Sequence, residues 1–334
     1  MIELDGSQGE GGGQIVRTAL SLSAITGEPF RISSIRAGRP EPGLRPQHLA
    51  GVKLMQSICS ADVQGAEVGS TCLEFHPGIV LGGSYVLDVG TAGSLTLLMQ
   101  SVLPALVLSP VHTELVLTGG TDVRWSPPVD HHGNVLFPLL RRMGAKLDMT
   151  VERRGFYPKG DGHMRLTVQG GPLRPLHLTD RGELLRLSGT AYVQGLSEKV
   201  AERMAASARK DLPDAEVRKE VTNGRSIGAG ISLYAEYANS LLGWSCLGER
   251  GMPAEDVGHE AAAGLLREIA AGGTLDVHTA DQILPYMALA GGGSFSVREV
   301  SGHLATQMAI VPRFLPVRFT VDEGAPVSIS ISRT

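Results

Sequence analysis

A chain of 334 residues, 42% of them hydrophobic, can build roughly two globular domains, and its net charge of −4 excludes a protein that coats long nucleic acid. Three cysteines, Cys59, Cys72 and Cys246, are odd in number and lack a CxxC pair, which excludes a disulfide scaffold and a cysteine-based zinc site. No stretch reaches the roughly 20 uninterrupted apolar residues of a membrane span, the best candidate being broken by Gln100 and Pro104. The opening from Met1 to Gly13 is acidic and Gly-rich, without the basic and apolar regions of a signal peptide, so the expected location is cytoplasmic. The 43 glycines imply many tight turns or places where backbone approaches a ligand, and aromatics at 4% argue against extended base stacking.

In chain order, the patterning predicts a strand from Met1 to Leu4, a helix from Gln14 to Ile25 stopped by Gly27, a strand from Pro29 to Ile35 and a helix from Pro46 to Cys59. Further helices are expected over Ser94 to Leu106 and Val129 to Met143, with short β-type runs between them. This alternation is α/β organisation. From about Leu184 to Thr274 the character changes: strands at Leu185 to Val193, Ala215 to Val221 and Ile231 to Tyr237 accompany a charged helix at Ser197 to Lys210 and an Ala-rich helix at Pro253 to Ala270. The flanks Gly170-Gly171-Pro172 and Gly272-Gly273 carry turn chemistry suited to domain crossings. We therefore expect a large domain over 1–183 and 275–334 and a small inserted domain over 184–274. Helices at Asp281 to Leu289 and His303 to Leu315 and strands at Val317 to Val321 and Val327 to Ile331 complete the chain, and no repeat is visible.

Several segments can carry chemistry. Asp5-Gly-Ser-Gln-Gly-Glu-Gly-Gly-Gly-Gln14 runs straight into a helix, so its backbone N–H groups can meet an anion where the helix dipole favours negative charge. It matches neither GxGxxG with its later acid nor GxxxxGK[ST]. Glu10 in this loop can hold a divalent ion, and Arg17, one turn into the helix, can reach the same phosphates. A flexible turn with a solvated glutamate reads the segment equally well. Arg36, Arg39 and Arg45 lie on a Gly/Pro-rich connection, and their forked guanidinium groups suit terminal phosphates, although such clusters are often only solvated. Ser94 reads as a helix N-cap, and Gln100, polar in an apolar stretch, needs a partner if buried. Asp130-His131-His132 invites a metal, but adjacent helical side chains diverge by about 100° and seldom share an ion. Arg153 to Gly162 reads as a turn between strands or as a contact for RNA. His303, near a helix start, would be kept neutral by the dipole and available as a nucleophile, although a lone histidine is more often structural.

Taken together, DGSQGEGGGQ, IRAGRPEPGLRPQHL, TAGSLTLLMQ, RRGFYPKGDG, ADQILPYMALAGGG and SGHLATQMAIVPRFLPVRF resemble the RNA 3′-terminal phosphate cyclases across nearly the whole chain. The resemblance implies a large α/β domain of three βαβαββ units, also seen in enolpyruvyl transferases, with a smaller inserted α/β domain. It implies that ATP and a divalent metal, Mg²⁺ or Mn²⁺, serve conversion of an RNA 3′-phosphate to a 2′,3′-cyclic phosphate through a histidine–AMP adduct. By position, His303 would be the nucleophile and Glu10 the metal ligand. Gln14, Arg17, Gln100, Pro127, Trp244, His278, Asp281 and Gln282 would bind the nucleotide, and Arg36, Arg39 and Arg45 the RNA terminus.

The chain departs from the family pattern at Gly160-Asp161-Gly162, at Thr306-Gln307 and at His278, where an aromatic is usual, which puts the adenine pocket in question. Two rival readings are a non-catalytic ribosome-assembly relative and an enolpyruvyl transferase. The presence of His303 and Glu10 argues against the first, and the small insert argues against the second. No membrane is expected among the partners, and a homodimer is compatible with the sequence but not demanded by it.

Overall fold

The computed structural model describes residues 1–334. The first unit runs β1 (Ile2–Asp5), α1 (Gln14–Thr26), β2 (Phe30–Ser33), α2 (Pro46–Cys59), β3 (Asp62–Gln64) and β4 (Leu73–His76). Its four strands are ordered β1-β2-β4-β3, with β1 and β2 parallel and the other neighbours antiparallel. The second unit repeats this plan with β5 (Gly83–Asp88), α3 (Leu95–Leu108), β6 (His112–Gly119), two short helices α4 (Val129–His131) and α5 (Phe137–Arg142), β7 (Lys146–Arg153) and β8 (Gly162–Gln169). Again the order is β5-β6-β8-β7.

The third unit begins with a strand of only two residues, β9 (Leu176–His177). Before it resumes, the chain builds β10 (Leu184–Gln194), α6 (Glu198–Asp211), β11 (Glu216–Thr222), β12 (Gly228–Tyr237), β13 (Leu241–Leu247) and α7 (Ala254–Ala271). It then returns through α8 (Val277–Leu289), β14 (Gly292–Val297), α9 (Gly302–Ile310), β15 (Val317–Asp322) and β16 (Val327–Arg333) to close a sheet of order β15-β16-β14-β9. The protein is thus an α/β fold of three βαβαββ units with an α/β insertion in the third.

Physical patterning explains the layering. In β2, Phe30 and Ile32 are buried while Arg31 and Ser33 are exposed, the period-two alternation of a sheet with one wet face. By contrast, α1 buries eleven of its thirteen residues, because it packs on α2, α3 and α9. The three units therefore meet through their helices around one continuous core of 62 buried residues. A second core of 19 residues, between Ala191 and Leu265, lies between the insert's sheet and its helices α6 and α7. We propose 184–274 as a separate folding unit, a reading that this second core supports.

Three expectations are corrected. The single helix expected over Val129 to Met143 is broken by a π turn at His132–Leu136, where Pro138 lacks the N–H that would bond to Asn134. The helix expected to open at Asp281 starts at Val277, capped by Asp276, whose Oδ1 accepts from the N–H groups of His278 (3.0 Å) and Thr279 (2.8 Å). The last helix stops at Ile310 and passes into a 3₁₀ turn at Val311–Arg313, where Pro312 falls. Strand β13, which the patterning did not reveal, closes the edge of the insert's sheet.

The other face of the insert's sheet meets the second unit through Arg154, which is 4% exposed. Its guanidinium bonds Asp122 (3.2 Å), Asp130 (2.8 Å) and, in the insert, Glu220 (2.7 Å), and lies 3.8 Å from the centroid of the Tyr192 ring. Burial opposes the charge, but Asp122, Asp130 and the hydrogen-bonded Glu220 together raise the Arg154 pKa. Removing one partner from such a network strands the others. Arg154→Leu is therefore expected to cost about 3–5 kcal/mol in urea unfolding and to expose the insert to limited proteolysis. Unchanged stability and cleavage would show that the insert is held by other contacts.

Candidate active site

The site forms where the two ends of the chain meet. The loop between β1 and α1 is folded by an Asx turn, with Asp5 Oδ1 accepting from the Ser7 N–H (2.9 Å) and hydroxyl (2.7 Å). It passes so close to α9 that a Cβ on Gly302 would come within 2.6 Å of Glu10 Oε1. At its other end, a Cβ on Gly13 would collide with the His48 ring. At Gly13 close approach of the ring favours glycine, whereas at Gly302 the Glu10 side chain would have to move aside. Helix α1 begins at Gly13 with no side-chain cap and no acid in its first turn, whereas Ser94, Asp276 and Ser301 cap α3, α8 and α9. The first N–H groups of α1 are consequently left for an anion.

His303 stands in the first turn of α9. Gln14 grips it twice: its Nε2 donates to the His303 carbonyl (3.2 Å), and its Oε1 lies 2.8 Å from Nδ1. A carbonyl can only accept, so the Gln14 amide orientation follows, and Oε1 must then accept a proton from Nδ1. In the neutral ring the lone pair is therefore on Nε2, which lies 3.2 Å from Glu10 Oε2. Burial lowers the His303 pKa, Arg17, His278 and Arg39 lower it further, and Glu10 opposes them.

Two arginines, Arg17 and Arg39, act on this imidazole. Arg17 is 9% exposed and makes one side-chain hydrogen bond, from Nε to Gln100 Oε1 (3.1 Å), which leaves its terminal nitrogens without a protein partner. Burial lowers its pKa to about 10, so it stays charged at neutral pH. Asp281, also buried, is pushed well above the usual carboxylate range by desolvation, although Arg17 opposes the shift. Arg39 donates to the Glu10 carbonyl (3.2 Å) and sits 4.0 Å from its carboxylate. Arg36 is turned into its own loop, donating to the carbonyls of Glu41 (2.7 Å) and Gly43 (3.0 Å), and Arg45 pairs with Glu41 (2.5 Å). The half-buried His48 ring, its pKa lowered to about 3 by desolvation and by Arg17, Arg36 and Arg45, registers the positive field.

Gln14, Arg17, Gln100, Asp281 and Gln282 line one polar cleft, together with His132 and Gln307, neither of which the sequence pointed to as a nucleotide contact. His132 Nδ1 and Gln282 Oε1 are buried there without partners, which marks the cleft as built for polar contents. Trp244 of the insert lies against the exposed His278 ring, centroids 4.8 Å apart and planes tilted by 37°. Pro127 is tied to α3 through its carbonyl, which accepts from the Thr96 hydroxyl (2.7 Å). Gln47 is also a functional neighbour missed in the sequence: its Oε1 accepts from the Ser94 N–H (2.9 Å), joining α2 to the start of α3. Its place in the RPQHL block was the available signal.

Asp130, His131 and His132 hold no common ion. Asp130 bonds Arg154, His131 bonds Thr279 (3.0 Å) and the His132 ring packs edge-on against Phe137. No group of three His, Cys, Asp or Glu side chains stands ready for a metal anywhere in the chain.

The arrangement suits in-line attack by an imidazole nitrogen on a phosphorus whose oxygens are held by arginines and a helix N-terminus. Known proteins are similar to this chain in sequence. The family pattern RTC, RNA 3′-terminal phosphate cyclase, matches residues 8–321. A protein of Archaeoglobus fulgidus named RNA 3′-terminal phosphate cyclase is 46% identical over 94% of this chain and 96% of its own. One of the same name from Methanopyrus kandleri is 44% identical over 99% of this chain and 98% of its own. EPSP synthase from Acinetobacter baumannii matches 95% of this chain and 61% of its own at 15% identity and a TM-score of 0.31, which carries no argument. The chain belongs to the RNA 3′-terminal phosphate cyclase family and is an enzyme of that class.

Because Glu10 opposes the lowering of the His303 pKa, Glu10→Gln should move it further down. NMR titration of the imidazole is expected to find a midpoint below the ordinary value of about 6.5 in the parent and a lower one in the variant. A midpoint that rises on removing Glu10 would contradict this electrostatic picture.

Proposed function

We propose that the protein converts an RNA 3′-terminal phosphate to a 2′,3′-cyclic phosphate at the expense of ATP, with His303 as nucleophile. The carrying observation is the Gln14 clamp, which holds the proton on Nδ1 and leaves the lone pair on Nε2, 3.2 Å from Glu10 Oε2. Attack by Nε2 on the α-phosphorus breaks the bond to the β-phosphate and releases pyrophosphate. An oxygen of the RNA 3′-phosphate then takes AMP from the ring, and the neighbouring 2′-OH attacks the activated phosphate and expels AMP. That last step is intramolecular and gains the effective molarity of a fixed neighbour.

Arg17 would hold the nucleotide phosphates, with Gln100 orienting it through the Nε bond. Asp281 and Gln282 would serve the ribose side of the cleft, while Pro127, Trp244 and His278 would flank the adenine. Arg39, beside Glu10, is the best placed of the three loop arginines for the RNA phosphate, and Arg36 and Arg45 would support it by field. Glu10 is a single carboxylate at the cleft mouth, which fits an ion of the Mg²⁺ type that takes most of its ligands from phosphate and water. Such an ion would offset polyphosphate charge. A cytoplasmic location accords with the composition; no helix is long and apolar enough to cross a membrane.

Two of the three departures from the family pattern have local partners. Asp161 sits at φ +59°, and its carboxylate is held by Arg153 (3.0 Å); Asp is among the residues that tolerate this region. Gln307 accepts from the Thr18 hydroxyl (3.0 Å), tying α9 to α1.

Incubation with α-labelled ATP and Mg²⁺ or Mn²⁺, followed by denaturation, should leave label on the chain that is stable to alkali and labile to acid. His303→Ala should abolish it while keeping the fold. No label on folded parent protein with either metal would contradict the reaction.

A further inference from the structure

Beyond the nucleotide cleft, three loops converge on a surface that the proposed chemistry does not use. In the segment between β6 and α4, Trp125 is 93% exposed and takes φ +64°, a region that bulky residues rarely occupy. Its neighbours brace it there: Arg124 pairs with Glu249 of the insert, and the Ser126 hydroxyl donates to the Val123 carbonyl (2.9 Å). The Arg153 to Gly162 segment presents Tyr157, 77% exposed. These two loops are joined by a bridge between Asp122 and Phe156. The third loop comes from the insert, where the Ser226 hydroxyl accepts from the Phe156 N–H (3.1 Å) and Ile227 is 63% exposed.

Charge on this surface has one sign to spare. Lys159 and Arg225 are exposed and form no ion pair, whereas the nearby acids Asp161, Glu220 and Glu249 are each engaged by an arginine. The surface also reaches the start of α3, the helix that carries Gln100. Pro127 lies two residues beyond Trp125 and is bonded to the first turn of α3, and a Cβ on Gly160 would strike Thr91 and Ala92, in the loop that leads into α3.

We propose that Trp125 and Tyr157, with Lys159 and Arg225, form a platform for the unpaired nucleotides that lead to the 3′-phosphate of the RNA. Flat exposed rings beside uncompensated cations fit a single strand, which offers base faces and backbone phosphates together. A duplex hides its base faces, and an acidic protein would use the cations without needing the rings. The platform rests on the proposed function, which supplies the strand, but its test does not depend on the chemistry.

The measurement is binding of a fluorescent single-stranded oligoribonucleotide bearing a 3′-phosphate, without ATP, beside labelling from α-labelled ATP without RNA. Trp125→Ala and Tyr157→Ala should each weaken binding about fivefold or more, with Trp125→Phe restoring it and ATP labelling unchanged throughout. Lys159→Ala and Arg225→Ala should each flatten the salt dependence of log Kd by about 0.7. Unchanged binding in the Trp125→Ala/Tyr157→Ala double variant would overturn the platform, as would equal binding of a blunt duplex. Loss of ATP labelling in Trp125→Ala would also overturn it, by giving that ring to the nucleotide. Parent protein that binds RNA through these residues yet takes no label from ATP would support the platform and sink the cyclase reaction.

Discussion

The bond pair between Gln14 and His303 joins residues that lie 289 positions apart, and the site cannot exist without it. Gln14 opens α1 in the first unit, and His303 stands in the first turn of α9 in the third. Helices α1 and α9 pack together in the central core, so the body holds the two ends in contact and the amide converts that contact into a fixed tautomer. Nearby, Thr18 and Gln307 make a second link between the same helices. Without the Gln14 amide, the ring proton would be free to choose either nitrogen.

Electrostatics then decide what the fixed ring can do. Arg17 is buried with unsatisfied terminal donors, Arg39 and the uncapped start of α1 face the same space, and the net effect disfavours imidazolium. Glu10 is the counterweight, its carboxylate 3.2 Å from Nε2 and opposing the fall in the His303 pKa without reversing it. A polyanion entering the cleft would satisfy Arg17, whose burial is costly without it. The site is thus stabilised least when empty, the condition under which binding of a charged substrate gains most.

Much of the fold could be read from the residues. The boundaries of α2 coincide with the pattern from Pro46 to Cys59, because Pro46 marks the first turn and the apolar spacing runs unbroken to the end. The threefold plan could not be read, since it lies in strand order rather than in repeated residues and the third unit's opening strand is two residues long, separated from α8 by the insert. The π turn at His132 was hidden because apolar periodicity does not report which backbone bonds a proline removes.

At the site, sequence proximity showed residue types but not partnerships. The glycine loop and the arginine cluster were visible as candidates, yet the difference between Arg39, which reaches Glu10, and Arg36, which is consumed by its own loop, appears only in three dimensions. Gln14 looked like one more ligand for a nucleotide, because its partner lies at the far end of the chain. Conversely, 4% aromatics suggested little stacking, and the few rings present turned out to include Trp125 and Tyr157 at the surface.

The most direct test of the account is the position of the nucleotide on the His303 ring. Heteronuclear NMR of the adenylylated, ¹⁵N-histidine-labelled protein distinguishes the two ring nitrogens by their coupling to phosphorus. The Gln14 clamp predicts AMP on Nε2 with the proton retained on Nδ1. AMP on Nδ1, the nitrogen that Gln14 holds, would contradict it.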